Sequence, residues 1–373
     1  MLNYVTSGES HGQYMSAILE GMPSGLQLDF DQLSLDLARR QGGYGRGGRQ
    51  KIEKDHVAIT GGLLKEITTG APLGFLLTNA DFKINEMPEL FRPRPGHADL
   101  AGALKYQQGI RPVLERASAR ETVMRVAVGA VCKQFLNQFG IEIVAHVIQI
   151  GAAAVKGEVK LTAAQIREKC SASQTYCVCP ETEKRMIELI EEARRKKDTL
   201  GGKFEVRVTG LPIGLGSYVH FERKLDGRLA QILMSMQSIK AVEMGDGIKL
   251  GEGFGSEAHD EIFYDSKRGY YRKTNHAGGV EGGMTNGADL VVRATMKPIS
   301  TLGQPLTSVN MQTKQPEKAD FERSDFCAVP AGSVIGEALV AYVIAAAFIE
   351  KFGGDSLTEI KANYQNYQKL LRA

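Results

Sequence analysis

His11 lies in the pentapeptide Gly8-Glu-Ser-His-Gly12, where flanking glycines leave an imidazole open to approach. A free imidazole titrates near pH 6.5, so such a histidine suits proton transfer. The plainer reading of the pentapeptide alone is a histidine in a surface turn. It also has the form G-x-S-x-G, the strained strand-to-helix turn that exposes the serine nucleophile of many hydrolases. That device needs a strand and an oxyanion loop earlier in the chain, and only seven residues precede Gly8. Ser10 is therefore not expected to be a hydrolytic nucleophile.

Two basic segments follow. In the first, Arg39, Arg40, Arg46, Arg49, Lys51 and Lys54 face Glu53 and Asp55, a local charge of +4. Residues 43–48, GYGRGG, match G-x-G-x-x-G, but a dinucleotide fingerprint must follow a strand and open a helix. Here a helical pattern precedes the glycines and the charged KIEKD follows, so that reading fails. A solvated loop, an RGG-type RNA contact and an anion-binding lid remain, since guanidinium forks match phosphate and carboxylate geometry. The second segment, 91–125, sets Arg92, Arg94, Lys105, Arg111, Arg116, Arg120 and Arg125 against Asp99, Glu115 and Glu121, again +4. Its RPRPGHADL stretch carries His97 on a proline-stiffened loop. Arg116 and Arg120 fall at the start of a long apolar run. A helix N-terminus already attracts anions, so arginines placed there oppose the dipole unless an anion sits between. A bound phosphate or polycarboxylate would supply that anion, and so would an internal salt bridge to Glu121 or Asp325.

The elements that must position these groups follow from periodicity. Strands are expected at 2–6, 15–19, 56–60, 72–78, 141–149, 203–209, 260–264 and 287–296. Asp29 and Gln32 open a helix over 30–40, and a second is expected over 223–236. Ser118 and Glu121 satisfy the S-x-x-E capping box ahead of a helix over 123–139. That run and 334–351 are apolar nearly all round, with Glu337 and Glu350 near the ends of the second, as expected of helices buried on every side. Residues 181–198 carry both charges and a narrow apolar stripe, a surface helix. Gly210-Leu-Pro-Ile-Gly-Leu215 repeats the G-x-P-x-G-L of Gly21–Leu26 at an offset of 189 residues, each copy preceding a helix and then a glycine-rich loop. An internal duplication, with two similar halves sharing one core, is the expectation.

Composition narrows the class. With 24% charged and 43% hydrophobic residues among 373, the chain is neither disordered nor fibrous. A net charge of +3 is too small to make bulk nucleic-acid binding the default. Five unevenly spaced cysteines suggest free thiols in a reducing, cytoplasmic setting, and no metal-ligand spacing appears among them and the seven histidines. His146 and His220 fall in strand-like runs and read as structural. The longest apolar run, 338–349, is short for a membrane span. Residues 277–287 (AGGVEGGMTNG), Lys297-Pro-Ile-Ser-Thr301 and Arg323-Ser-Asp325 are each, taken alone, turn-like.

Taken together, GESHG, RRQGGYGRGGR, RPGHADL, RASARET with its long helix, AGGVEGGMTNG, KPIST and RSDFCAVPA resemble the chorismate synthase family in order and spacing over residues 8–331. The resemblance implies anti-1,4-elimination of phosphate from 5-enolpyruvylshikimate 3-phosphate to give chorismate. It also implies a requirement for reduced FMN without net redox change, with NADPH as one source of electrons. That substrate carries a phosphate and two carboxylates, which would account for two basic segments on a nearly neutral chain. The implied fold is α+β, a single domain over 1–373. It is a β-α-β sandwich with central helices between antiparallel sheets, in a homotetramer.

Residue by residue, the family's phosphate-side acid falls on His11 and the histidine that protonates reduced flavin on His97. The aspartate acting as base through the flavin N5 falls on Asp325. Substrate anions would be held by Ser10, Arg40, Arg46, Arg49, Arg94 and Arg120, with Arg40 and Arg46 also matching NADPH positions. FMN contacts would fall on Arg116, Ala117, Ser118, Gln237, Ser238, Gly282, Lys297, Pro298, Ile299, Ser300, Thr301 and Arg323. Ala117 stands where the family often has serine, leaving only a backbone contact there, and Gln237 and Ser238 lie in a variable stretch. The rival classes are an RNA-binding module built on the GRGGR loop and a serine hydrolase using Ser10. The first leaves KPIST and the helix-start arginines unused and has no tryptophan and 7% aromatics for stacking.

Overall fold

A computed structural model describes residues 1–47, 54–267, 269–322 and 325–371, so Arg49 and Arg323 lie outside the described residues. The chain is an α+β protein. Strands β1 (Asn3–Ser7), β2 (Tyr14–Glu20), β3 (Ala58–Gly61) and β4 (Leu73–Thr78) form an antiparallel sheet of order β1-β2-β4-β3. Alternation sets its inner face: Met15, Ala17 and Leu19 of β2 and Leu73, Phe75 and Leu77 of β4 are buried. Helices α1 (Phe30–Gln41), α2 (Asp99–Tyr106), α3 (Ile110–Ala117) and α4 (Thr122–Asn137) complete the first part of the chain.

Strands β5 (Glu142–Ile150), β6 (Gly202–Thr209), β7 (Ile239–Met244) and β8 (Leu290–Met296) form a second antiparallel sheet of order β5-β6-β8-β7, with Ala153–Ala154 added outside β5. Around it lie α5 (Ala163–Ser171), α6 (Pro180–Lys196), α7 (Leu225–Met234), α8 (Val329–Phe352) and α9 (Leu357–Leu370). The first sheet lies against α4, the second against α8, and α4 and α8 pack on each other. Gly129 of α4 permits that approach, because a Cβ there would overlap Ala338. By length and composition α8 could cross a membrane, yet 89% of its most apolar window is buried inside the protein.

The two G-x-P-x-G-L stretches are bonded alike. Thr68 Oγ1 donates to Pro23 O at 2.7 Å and accepts from Leu26 N at 2.9 Å. Thr285 Oγ1 donates to Pro212 O at 2.6 Å and accepts from Leu215 N at 2.8 Å. Gly21 and Gly25 have φ of +84° and +90°, Gly210 and Gly214 +77° and +88°, which explains why glycine recurs at these four positions.

Several expectations are corrected. Residues 262–265 pair only with 269–272 in a separate hairpin and do not cover the helices. Ser118 caps a single 3₁₀ turn (Ala119–Glu121), and Glu121 turns to Arg125 and Gln237 instead of back to Ser118, so the capping box is not formed. Helix α8 starts five residues earlier than expected, which moves Glu337 from an end into the core. There its carboxylate accepts from Arg39 Nη1 and Nη2 at 2.9 Å, from Lys133 at 2.6 Å and from Ala145 N at 2.9 Å. Burial alone would raise its pKa, but Arg39 and Lys133 hold it well below the usual carboxylate range. His220 is exposed at the start of a 3₁₀ turn, outside any strand. His146 is buried in β5, its two ring nitrogens without a hydrogen-bond partner among the described residues. Burial lowers its pKa to about 4.

Candidate active site

A cavity of about 630 Å³ opens where the turn between β1 and β2, the end of α1, the α3–α4 junction and the start of α8 meet. That volume suits a cofactor-sized ligand. Two long connections wall it: residues 79–98 after β4 and, after β8, residues 297–322 with 325–328, which include the strand pair Thr307–Val309 and Pro316–Lys318. Ser10, His11, Arg40, Arg46, Arg94, His97, Ala117, Ser118, Arg120, Gln237, Ser238, Lys297, Ile299, Ser300, Thr301 and Asp325 all line it. Arg116, Gly282 and Pro298 do not. The Arg116 guanidinium donates instead to Thr6 O and Gly8 O, and Gly282 lies in the turn of the hairpin Val280–Thr285.

Most cationic groups on the wall are held by a carboxylate, several of them buried behind it. Glu115, on α3, accepts from His11 N at 2.8 Å and sits 3.0 Å from His11 Nδ1. Burial works against its ionisation, but the His11 contacts outweigh it and the carboxyl lies below its ordinary value. Arg111 stands beside the same carboxylate at 3.6 Å. Asp55, whose side chain is fully buried, accepts from Arg40 Nη1 at 3.0 Å and from Arg120 Nη1 at 2.6 Å. Arg40 also donates to Thr122 Oγ1 and Ala119 O, and Arg120 to Asn79 Oδ1. Burial, reinforced by Arg120 and Arg46, brings Arg40 down to about 10 despite Asp55, which still leaves it charged at neutral pH.

Asp99 does the same work in the RPGHADL loop. It accepts from Arg94 N, Nε and Nη2 and lies 2.5 Å from His97 Nδ1. Burial opposes its charge, yet His97 and Arg94 keep the carboxyl far below the usual range. Arg94 reaches across to Thr301 Oγ1 at 2.8 Å, while Lys297 Nζ and Ser300 Oγ both donate to Gly96 O at 2.9 Å. KPIST is thus laced to the His97 loop. Burial, with Lys240 nearby, lowers the Lys297 pKa. Asp325 has both oxygens engaged, Oδ2 by Arg46 at 2.7 Å and Oδ1 by Gly47 N at 2.6 Å.

Of the two helix-start arginines, Arg120 has an internal counter-ion, Asp55 rather than Glu121 or Asp325, and Arg116 bonds to Thr6 and Gly8. Asp55, Asn79, Asp99, Glu115 and Lys83 were not singled out from sequence. Asp99, two residues after His97, carried the one legible signal. Lys83, paired with Asp81 at 2.9 Å, adds a further cation to the wall.

The wall also has an apolar strip, formed by Leu114, Met236, Met296, Ala331, Gly332 and Ile335. Beside it Gln237 Oε1 and Arg46 Nε are buried without a hydrogen-bond partner among the described residues. A flat apolar ring with polar edges and a phosphate tail fits this lining: the strip takes its face, the orphaned groups its edge, and Lys297 or the arginines its charge. No group of three or more metal-ligating side chains occurs among the described residues.

Comparison with known proteins agrees with this geometry. Residues 2–349 match the family model for chorismate synthase. A chorismate synthase from Geobacter sulfurreducens is 49% identical over 394 residues, and one from Moorella thermoacetica 50% over 386, each covering 100% of both chains. A crystal structure of chorismate synthase superposes with a TM-score of 0.83 at 39% identity, covering 100% of this chain and 98% of that one. With a match across nearly its whole length and relatives at about half identity end to end, the chain belongs to the chorismate synthase family.

Proposed function

We propose that the chain catalyses the anti-1,4-elimination of phosphate from 5-enolpyruvylshikimate 3-phosphate, giving chorismate, with reduced FMN in the cavity. The observation that carries the reading is the pairing of an anion-binding wall with an apolar strip, each cavity histidine having Nδ1 held by a carboxylate.

Departure of phosphate needs charge neutralisation and a proton. Arg40, Arg94 and Arg120 are fixed by Asp55 and Asp99, so they meet the substrate anions with little reorganisation. Ser10, half-turned toward Ser118 at 3.1 Å, adds a hydroxyl. His11 supplies the proton from Nε2, since Glu115 occupies Nδ1. His97 holds a second proton in the cavity lining under the control of Asp99. Asp325, the family's base, is free to accept a proton only if Arg46 shifts toward a substrate or cofactor anion. FMN would be held by Ala117 through its backbone and by Ser118, Gln237, Ser238, Lys297, Ile299, Ser300 and Thr301. When bound, a reduced flavin supplies transient electron donation that eases loss of an unactivated C–H proton. Arg40 and Arg46, of which Arg46 is the more open, would hold NADPH as a source of electrons for FMN.

The matching strand orders and the paired Thr68 and Thr285 bonds support a further reading: one domain over 1–373, internally duplicated, as a β-α-β sandwich. A homotetrameric, cytoplasmic enzyme is proposed from the family alone. The test is an anaerobic assay with chemically reduced FMN, following chorismate absorbance and phosphate release. Product with reduced but not oxidised FMN supports the reading. No product from folded, FMN-binding protein refutes it.

A further inference from the structure

We infer that Glu115 is the positioning residue that fixes the proton on His11, so that Nε2 alone exchanges protons with the cavity. The inference rests on the role proposed above for His11. Glu115 is on α3, the side chain is fully buried, and its carboxylate meets His11 twice: at the backbone N–H, 2.8 Å, and at Nδ1, 3.0 Å. A carboxylate only accepts, so Nδ1 must carry the proton in the neutral ring as well as in the imidazolium. His11 lines the cavity, and Nε2 is the nitrogen left to face it. After Nε2 gives its proton to the departing phosphate, the ring is left as the Nδ1–H tautomer that Glu115 already holds, and no rotation or second transfer is needed.

The surroundings favour an ionised Glu115 and a fixed ring. Arg111, buried on α3, lies 3.6 Å from Glu115 Oε1 and bridges to Glu322 at 3.0 Å. Ser10 N donates to the Glu115 carbonyl, so the turn bearing His11 is sewn to α3 by backbone as well. Lys83 N and Ile84 N donate to His11 O from the loop after β4, which brings the Lys83–Asp81 pair alongside. Arg40, Arg46, Arg94, Arg120, Lys297 and Asp325 are further charged groups of the same cavity lining, and Glu9 belongs to the same turn. Among these, Glu115 is the one hydrogen-bonded to the imidazole in the described residues.

Glutamine at this position keeps the volume but offers one acceptor and one donor group. With its N–H₂ toward Nδ1, it would select the Nε2–H tautomer, whose only ring proton could leave only by forming an imidazolate, so the ring is a poor acid. A wrong tautomer behind an intact ring costs on the order of 10⁴-fold in turnover where a buried aspartate orients a catalytic histidine. We expect Glu115→Gln to lower kcat by about 10²–10⁴-fold with KM changed less than about threefold, because the arginines are untouched. Glu115→Asp should recover part of the loss, since it restores the acceptor.

Two measurements test this. In wild-type protein labelled with ¹⁵N-histidine, with His11→Gln for assignment, the long-range ¹⁵N–¹H spectrum above the titration should show His11 protonated at Nδ1. In Glu115→Gln the Nε2–H form should appear. An Nε2–H ring in the wild type overturns the inference without any need for turnover. So does a Glu115→Gln enzyme with kcat within threefold of wild type and unchanged thermal midpoint. If the wild type is locked at Nδ1 but makes no chorismate, the tautomer assignment stands and the reaction proposed above is what fails.

Discussion

Asp55 is the buried carboxylate that two arginines of the site share, and replacing it by asparagine tests how the anion-binding wall is held. It accepts from Arg40 at 3.0 Å and Arg120 at 2.6 Å, two guanidiniums that are themselves only 4% and 7% exposed. Hydrogen bonds to charged partners contribute about 1.5–3 kcal/mol each. Removing one member of a buried ion pair costs about 3–5 kcal/mol, because the partner charge stays buried. Asparagine keeps the shape and one acceptor oxygen, but turns N–H₂ toward the other guanidinium. Both arginines border a cavity that admits water, so the lower end applies, about 3 kcal/mol. Against a typical stability of about 5–15 kcal/mol that is a large fraction. Urea titrations at pH 7 in phosphate-free buffer, followed by far-UV circular dichroism, would measure it. Inorganic phosphate should then stabilise the variant more than the wild type, since an anion can replace the lost carboxylate. At a hundredfold excess over Kd the gain is about 2.7 kcal/mol. A loss below about 1 kcal/mol, or an equal phosphate effect in both proteins, refutes the reasoning.

Three other outcomes are expected. His11→Ala and His97→Ala should each lower turnover by about 10²–10⁴-fold in the anaerobic assay, and near-normal rates in both would remove the proton-transfer roles. Asp99 has a folded pKa depressed below its unfolded value, so its contribution to stability is present above about pH 4 and lost as pH falls through the acid range. The gap between the urea midpoints of wild type and Asp99→Asn should therefore be largest near neutrality and begin to narrow only below about pH 4, with part of it still present at about pH 3. Gly129→Ala should destabilise by about 1–3 kcal/mol through overpacking against Ala338, measurable as a lower thermal midpoint, whereas an unchanged midpoint would mean α4 and α8 can separate freely.

What could be read from the residues was what periodicity and short motifs carry. Helix α1 begins where Asp29 was expected to cap it, with Asp29 accepting from Gln32 N, although Gln134 rather than Gln32 returns the second bond of the box. Two all-round apolar runs became α4 and α8 because no face of either meets water. Glu337 was misplaced for the same reason: composition sees one charge in an apolar run, and only packing reveals Arg39 and Lys133 converging on it from α1 and α4. His11 and His97 stood out by neighbouring glycine and proline. Glu115 and Asp55 did not, because a carboxylate behind a cation looks in sequence like any balancing charge. Their pairings span 104 residues from His11 to Glu115 and 65 from Asp55 to Arg120, distances that only the tertiary fold closes. Arg116 shows the converse, a motif residue whose side chain is spent on the backbone of β1 and the turn after it.

The loops after β4 and after β8 occupy the same place in sheets of the same strand order, yet they carry different cargo: His97 in one, Lys297 and Asp325 in the other. A cavity between two identical subunits would have to present the same side chains from both walls. Here both walls come from one continuous chain, so each can be altered without altering its counterpart. An asymmetric reaction, with a proton leaving on one side and an anion on the other, gains from that freedom. The two walls also meet at a fixed effective concentration, of the order millimolar or more for linked partners. Bringing these two loops together is therefore a folding event within the chain.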